Sequence, residues 1–116
     1  MFLEIKMKKS ESIKDDFALL IVDAQKKIIN PIQNHDFILS NIELLLRSYE
    51  ILRENIILSE QNPIKLGQTL KCLLPNKEFK KIEKMRFSLA FENNILNTFN
   101  IKNIKSLIIC GFESHI

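Results

Sequence analysis

Ser106-Leu107-Ile108-Ile109-Cys110-Gly111-Phe112-Glu113-Ser114-His115-Ile116 is the stretch that decides the fold of this chain. Ser106 to Cys110 form a short apolar run, Gly111 breaks it, and Phe112 to Ile116 begin a turn toward a helix. A short run without polar alternation predicts a strand covered on both faces, as in parallel sheets. A strand that passes through a glycine turn into a helix is where α/β proteins place a nucleophile or an anion.

Upstream, Phe17-Ala18-Leu19-Leu20-Ile21-Val22 is a second run of this kind and ends in Asp23. Asn55 to Ser59 is a third strand, closed by Glu60-Gln61-Asn62-Pro63. Lys81 to Arg86 is a fourth, poorer by composition. Residues 24–35, with Pro31, read as a loop. From Asp36, a candidate N-cap, the spacing of Ile38, Ile42, Leu45, Tyr49 and Leu52 predicts a long helix with one apolar stripe. Residues 60–80 hold Pro63, Gly67 and Pro75 and read as a loop, of a length that is usually functional. Ser88 can cap a second helix, with Phe91, Ile95 and Phe99 on one face. Strands alternating with amphipathic helices predict a three-layer α/β/α, Rossmann-like parallel sheet. Residues 1–16 read as a polar leader able to hold a short helix, and residues 17–116 as the domain.

A chain of 116 residues suffices for one domain with a core, not two. Hydrophobic residues make up 46% and charged residues 27%, ordinary for a globular domain and against a disordered chain. The net charge of +3 is densest from Lys77 to Arg86, where Lys80, Lys81 and Lys84 read as a solvated face. No aromatic residues interleave there, so nucleic acid is not an expected partner. Cys72 and Cys110 make no disulfide framework in a chain this long, which suits a reducing, cytoplasmic setting. Met1 to Lys9 alternates apolar and charged residues and lacks the apolar run of a signal peptide. No membrane contact is expected, since no apolar stretch is long enough to span a bilayer.

In such sheets ligands bind at the carboxyl ends of the strands. There the sequence sets Asp23, then Ser59-Glu60-Gln61, then Lys84, then Gly111. Asp23 reads equally as a turn residue after a strand and as a part-buried functional acid, while Lys84 taken alone reads as a surface lysine. His35 and His115 have no Cys partner and no metal-ligand spacing, so neither a metal nor a cofactor is expected. A mid-strand thiol such as that of Cys110 is poorly placed for attack.

Four segments carry a family resemblance. Phe17 to Gln25 (FALLIVDAQ), Ser59 to Thr69 (SEQNPIKLGQT), Lys84 to Ser88 (KMRFS) and Cys110 to Ile116 (CGFESHI) occur in the order of the motifs of the isochorismatase-like hydrolase superfamily. The second is similar to the TEQYPKGLGPT of many members. The last resembles the CGIETHV that directly precedes the nucleophilic Cys of the cysteine hydrolases. The resemblance covers residues 17–116 and implies an isochorismatase-like fold, incomplete at the C-terminus because family domains are appreciably longer.

Carried over residue by residue, the resemblance makes Asp23 the general base and Lys84 its cationic partner. The nucleophile would be the residue after Ile116. Phe112–Glu113 would be the cis peptide of an oxyanion turn, and Gln61, Phe87 and Gly111 are candidates to line the substrate pocket. The implied activity is hydrolysis of a small amide or related C–N bond, with a chain of this extent inactive alone. Residues 60–80 contain no His and no Asp, which argues against the metal site of nicotinamidases. The alternative is a non-catalytic interaction or oligomerisation module. Expected partners are a small-molecule substrate and further copies of the chain. A receiver-like phosphoacceptor domain would want acidic residues that Asp23-Ala24 and Arg86-Phe87 do not supply.

Overall fold

The computed structural model describes residues 2–6, 17–52, 55–84 and 106–112. The elements are β1 (Phe2–Lys6), β2 (Phe17–Val22), α1 (Lys26–Ile29), α2 (His35–Leu52), β3 (Asn55–Gln61), α3 (Pro63–Leu66), a 3-10 turn (Lys71–Leu73), β4 (Lys80–Lys84) and β5 (Ser106–Gly111). They form one sheet in the order β1-β5-β2-β3-β4. The last four strands run parallel, and β1 pairs antiparallel to β5.

The apolar run of β2 takes the centre of the sheet, where both of its faces are buried. Ala18 to Val22 are all at most 1% exposed. Leu19 and Ile21 pack with Ile56, Leu58 and Cys110 and with α2, through Ile42, Leu46 and Tyr49. Ala18, Leu20 and Val22 point the other way, with Ile57, Ile82, Leu107 and Ile109. This period-two division is what a strand does with a continuous apolar sequence. The expected α/β architecture with a parallel sheet is the one observed, and helix α2 supplies one outer layer. The helix expected from Ser88 lies outside the described residues.

Three expectations change. The leader 1–16 contributes an edge strand, since Phe2–Lys6 pairs with β5 from Phe2 opposite Cys110 to Lys6 opposite Ser106. The alternation of apolar and charged residues in this segment is itself a strand period. Helix α2 starts at His35, and the N–H of Ile38 bonds the carbonyl of Asn34 at 3.2 Å, so Asn34 holds the cap position and Asp36 lies in the first turn. An acid there still favours the helix dipole. Finally, the buried stripe of α2 centres on Ile42, Leu46 and Tyr49, while Leu52 is 61% exposed. A 3.6-residue period drifts off a strict four-three ladder by the fifth position, which turns Leu52 toward solvent.

The expected loops carry short turns of helix, α1 within 24–35 and α3 with the 3-10 turn within 60–80. Arg47 ties the second loop to α2. It donates to the carbonyls of Cys72 at 3.0 Å and Leu74 at 3.3 Å, and to Glu50 Oε1 at 2.6 Å. Glu50, only 6% exposed, also accepts the N–H of Asn76. Among the described residues no helix is long and apolar enough to cross a membrane.

Candidate functional site

The parallel register brings four strand ends to one edge. Val22 lies between Ser59 of β3 and Gly111 of β5, and Gln61 lies opposite Lys84 of β4. Asp23 follows directly on the central strand and is fully buried. Its N–H bonds the carbonyl of Ser59 at 3.0 Å, and its Oδ1 accepts the Ser59 hydroxyl at 3.0 Å. Its carbonyl accepts the N–H of Gln25 at 2.8 Å. The residue is held at φ +54°, in the left-handed region that only a few per cent of non-Gly residues adopt, Asn, Asp and His foremost among them. Such strain persists where surrounding bonds over-determine it, and it clusters at functional sites.

The glycine turn of β5 arrives beside Asp23. The N–H of Phe112 bonds the carbonyl of Val22 at 3.2 Å. Gly111 has φ +150°, and a Cβ on it would sit 2.1 Å from the Val22 carbonyl oxygen. The glycine is there because β5 crowds the backbone of β2. Phe112 is partly buried against the core that α2 covers.

Gln25 organises the loop after β3. Its Nε2 donates to the carbonyls of Gln61 at 2.9 Å and Gly67 at 2.5 Å, and its Oε1 accepts the N–H of Gln61 at 2.7 Å. Glu60 holds the far end of the loop, where Oε2 accepts the N–H of Thr69 at 2.7 Å and its hydroxyl at 2.8 Å. Its other oxygen, Oε1, lies 3.6 Å from Lys81 Nζ. The loop 62–69 is therefore pinned against the strand edge by a buried amide and a buried carboxylate.

Of the expected site residues, the structure brings Asp23, Gln61 and Gly111 to one edge. Lys84 ends β4 on that edge, two strand spacings from β2, or about 10 Å between backbones. Gln61 is 4% exposed and is engaged through its backbone by Gln25. Phe87, Glu113 and the Phe112–Glu113 bond lie outside the described residues. Gln25 was not marked by its sequence context. The available signals were its place at the end of the segment Phe17 to Gln25 and its position two places after Asp23. Cys110 is 2% exposed, and burial pushes its thiol up to about 12. Among the described residues no three His, Cys, Asp or Glu side chains are grouped to hold a metal.

A mostly parallel sheet with its buried acid and glycine turn at the carboxyl edge defines a Rossmann-like α/β domain. No family model matches the chain. Isochorismatase family protein 1B of Dictyostelium discoideum is 33% identical over 110 residues, covering 90% of this chain and 53% of the relative. The MAR1 ribonuclease structure from Caenorhabditis elegans matches with a TM-score of 0.74 and 25% identity, over 88% of this chain and 53% of that one. A crystal structure of an isochorismatase family protein matches with a TM-score of 0.69 and 19% identity, over 85% of this chain and 65% of that one, a likeness of fold alone. The chain belongs to the isochorismatase-like superfamily. It spans about half the length of the curated relatives it matches.

Proposed function

We propose that this chain carries the acid–base part of a cysteine hydrolase that acts on a small amide or related C–N bond. Asp23 is the general base and Lys84, which ends a strand on the same sheet edge, its cationic partner. The nucleophilic thiol belongs to the residue after Ile116. The proposal rests on Asp23, a carboxylate fully buried at the end of the central strand and held in a strained backbone conformation. In the proposed reaction Asp23 takes the thiol proton, and the thiolate attacks the amide carbon. The tetrahedral adduct then collapses, and the amine leaves with the proton from Asp23. Water, deprotonated by Asp23, hydrolyses the thioester and restores the thiol.

Residues 1–116 contain the base and the cation of this scheme but not its nucleophile, and Cys110 does not substitute, being buried in mid-strand. The test joins residues 1–116 to the C-terminal remainder of the Dictyostelium relative and measures ammonia release from a panel of small amides. The fusion is expected to turn over, and Asp23→Asn to lower the rate at least ~100-fold with folding retained by circular dichroism. Residues 1–116 alone are expected to be inactive. Turnover by residues 1–116 alone, or an unchanged rate in Asp23→Asn, overturns the assignment. RNA belongs on the panel because of the likeness to MAR1 ribonuclease, and its cleavage in preference to amides would also overturn it.

A second proposal, a non-catalytic interaction module, is favoured by the exposed Phe37, Leu44 and Ile51 of α2.

A further inference from the structure

The two edges of the sheet are finished differently. Strand β4 closes one edge as Lys80-Lys81-Ile82-Glu83-Lys84, a charged run that discourages further pairing. Toward the other edge lies β5, Ser106 to Gly111, which carries no charge and whose Leu107, Ile109 and Cys110 are buried. Left open, an uncharged apolar strand of this kind is a template for other extended segments. It is covered by β1, five residues that run antiparallel beside the parallel strands of the sheet.

The register matches this cover to one face of the sheet only. Leu3 and Ile5 stand opposite Ile109 and Leu107, which belong to the apolar cluster on the face away from α2. A slip of one residue would set Glu4 on that face. On the α2 side, Glu4 and Lys6 stand opposite Ile108 and Ser106, and Phe2, opposite Cys110, is the one apolar residue of the three. Along that side runs an apolar groove of about 490 Å³, between Ile38, Ile42 and Leu45 of α2 and Cys110 of β5. Charged positions are poor material to close such a groove.

The strand order identifies the place that β1 holds. From the centre, β2, β3 and β4 step outward on one side, and β5 returns to the other side of β2. This is the 3-2-1-4 portion of the doubly wound order 3-2-1-4-5-6. The fifth parallel strand of such a sheet pairs with the outer edge of the fourth, which is the edge of β5 that β1 takes. The curated relatives carry about as much chain again as the segment matched here, which covers 53% and 50% of their lengths.

We propose that the β5 edge is a strand-acceptor site held closed by residues 2–6, and that its partner is a chain carrying the second half of an isochorismatase-like domain. The partner adds a parallel strand to β5, main chain to main chain, and displaces β1. An incoming strand apolar on both faces replaces Glu4 and Lys6 on the α2 side and closes the groove there. Until then β1 blunts the edge, and because it belongs to the same chain it competes intramolecularly. The proposal needs the family membership and the sheet order, and not the catalytic reading of Asp23.

The test uses the full chain and, as a separate chain, the C-terminal remainder of the Dictyostelium relative. Fluorescence anisotropy measures binding, and hydrogen exchange reports which strand holds the β5 edge. The two are expected to bind, with the amides of residues 3–6 losing protection in the complex while those of β5 keep theirs. Removing residues 1–6 is expected to tighten binding at least ~10-fold, since the tethered competitor is gone. Excess synthetic peptide Met1–Lys6 is expected to reverse the gain. Leu3→Asp with Ile5→Asp in the full chain is expected to tighten binding likewise, which keeps the test valid if the trimmed chain does not fold. An absence of binding by all three forms, equal affinity of wild type and both cover variants, or a complex in which residues 3–6 stay protected would each overturn the proposal.

Discussion

A Cβ placed on Gly111 would lie 2.1 Å from the carbonyl oxygen of Val22 and under 3 Å from its nitrogen and carbonyl carbon. All three are backbone atoms of the central strand, which cannot swing aside as a side chain can. The φ of +150° adds strain for any residue with a side chain. Gly111→Ala is expected to cost about 3 kcal/mol or more. Urea unfolding measures the loss, and a cost below ~1 kcal/mol would show that β5 does not approach β2 this closely.

Ser59 gives the buried Asp23 carboxylate a hydroxyl donor at 3.0 Å. Ser59→Ala removes that donor and adds no bulk. It is expected to cost about 1–3 kcal/mol, the range for depriving a buried charged group of one hydrogen bond. In Asp23→Asn, whose side chain is neutral, removal of the hydroxyl should cost less. A double-mutant cycle at positions 23 and 59 checks the coupling, and additive losses would refute it.

Glu50 links stability to pH. Burial raises its pKa, but the hydrogen bonds from Arg47 and the backbone N–H of Asn76, with the Arg47 charge, more than offset this and hold it below the usual 4.5. A depressed carboxyl contributes stability that is present above the unfolded-state value and is lost as pH falls through the folded-state one. Glu50→Gln is therefore expected to be less stable than wild type at neutral pH, by about 1–2 kcal/mol. The gap should close progressively below about pH 4.5. Thermal melts of both proteins over an acid series test this, and a gap that widens on acidification would contradict it.

The two thiols should differ in reactivity. Cys110 is buried and its pKa is raised to about 12, whereas Cys72 is exposed on the loop that Arg47 holds. Alkylation follows thiolate fraction and access. Under native, mildly alkaline conditions iodoacetamide should modify Cys72 alone, and Cys110 only after denaturant is added. Peptide mass spectrometry reads the sites, and native labelling of Cys110 would mean that β5 opens readily.

Strands β2, β3 and β5 were legible because burial on both faces demands unbroken apolar runs. Strand β4 was harder to read because, from Lys80 to Glu83, Ile82 alone lies in the buried core. In β1 the alternation was plain, but pairing with a strand at the far end of the sequence is not a local property. Helix α2 was legible as a helix, but a strict four-three ladder drifts from the 3.6-residue period, so Leu46 is buried where Leu52 was expected to be. At the site, Asp23 and Gly111 stood out because each interrupts or ends an apolar run. Gln25 did not, since its partners are the backbones of Gln61 and Gly67, remote in sequence. Glu50 was likewise unmarked, a buried acid whose partners include the distant Asn76.

The sheet order has a consequence for synthesis. Strand β2 is made early, yet its neighbours are β3 on one side and β5 on the other. Val22 can pair with Ser59 soon after translation of the first half, but its pairing with Gly111 waits until β5 has left the ribosome. Through that interval one edge of the most apolar strand in the described fold is open to other nascent chains. Long-range parallel pairing of this kind folds slowly and leaves strand edges exposed to aggregation. Expression yield should therefore depend on how fast β5 is delivered, and slowing translation between β4 and β5 should move protein from the soluble to the insoluble fraction.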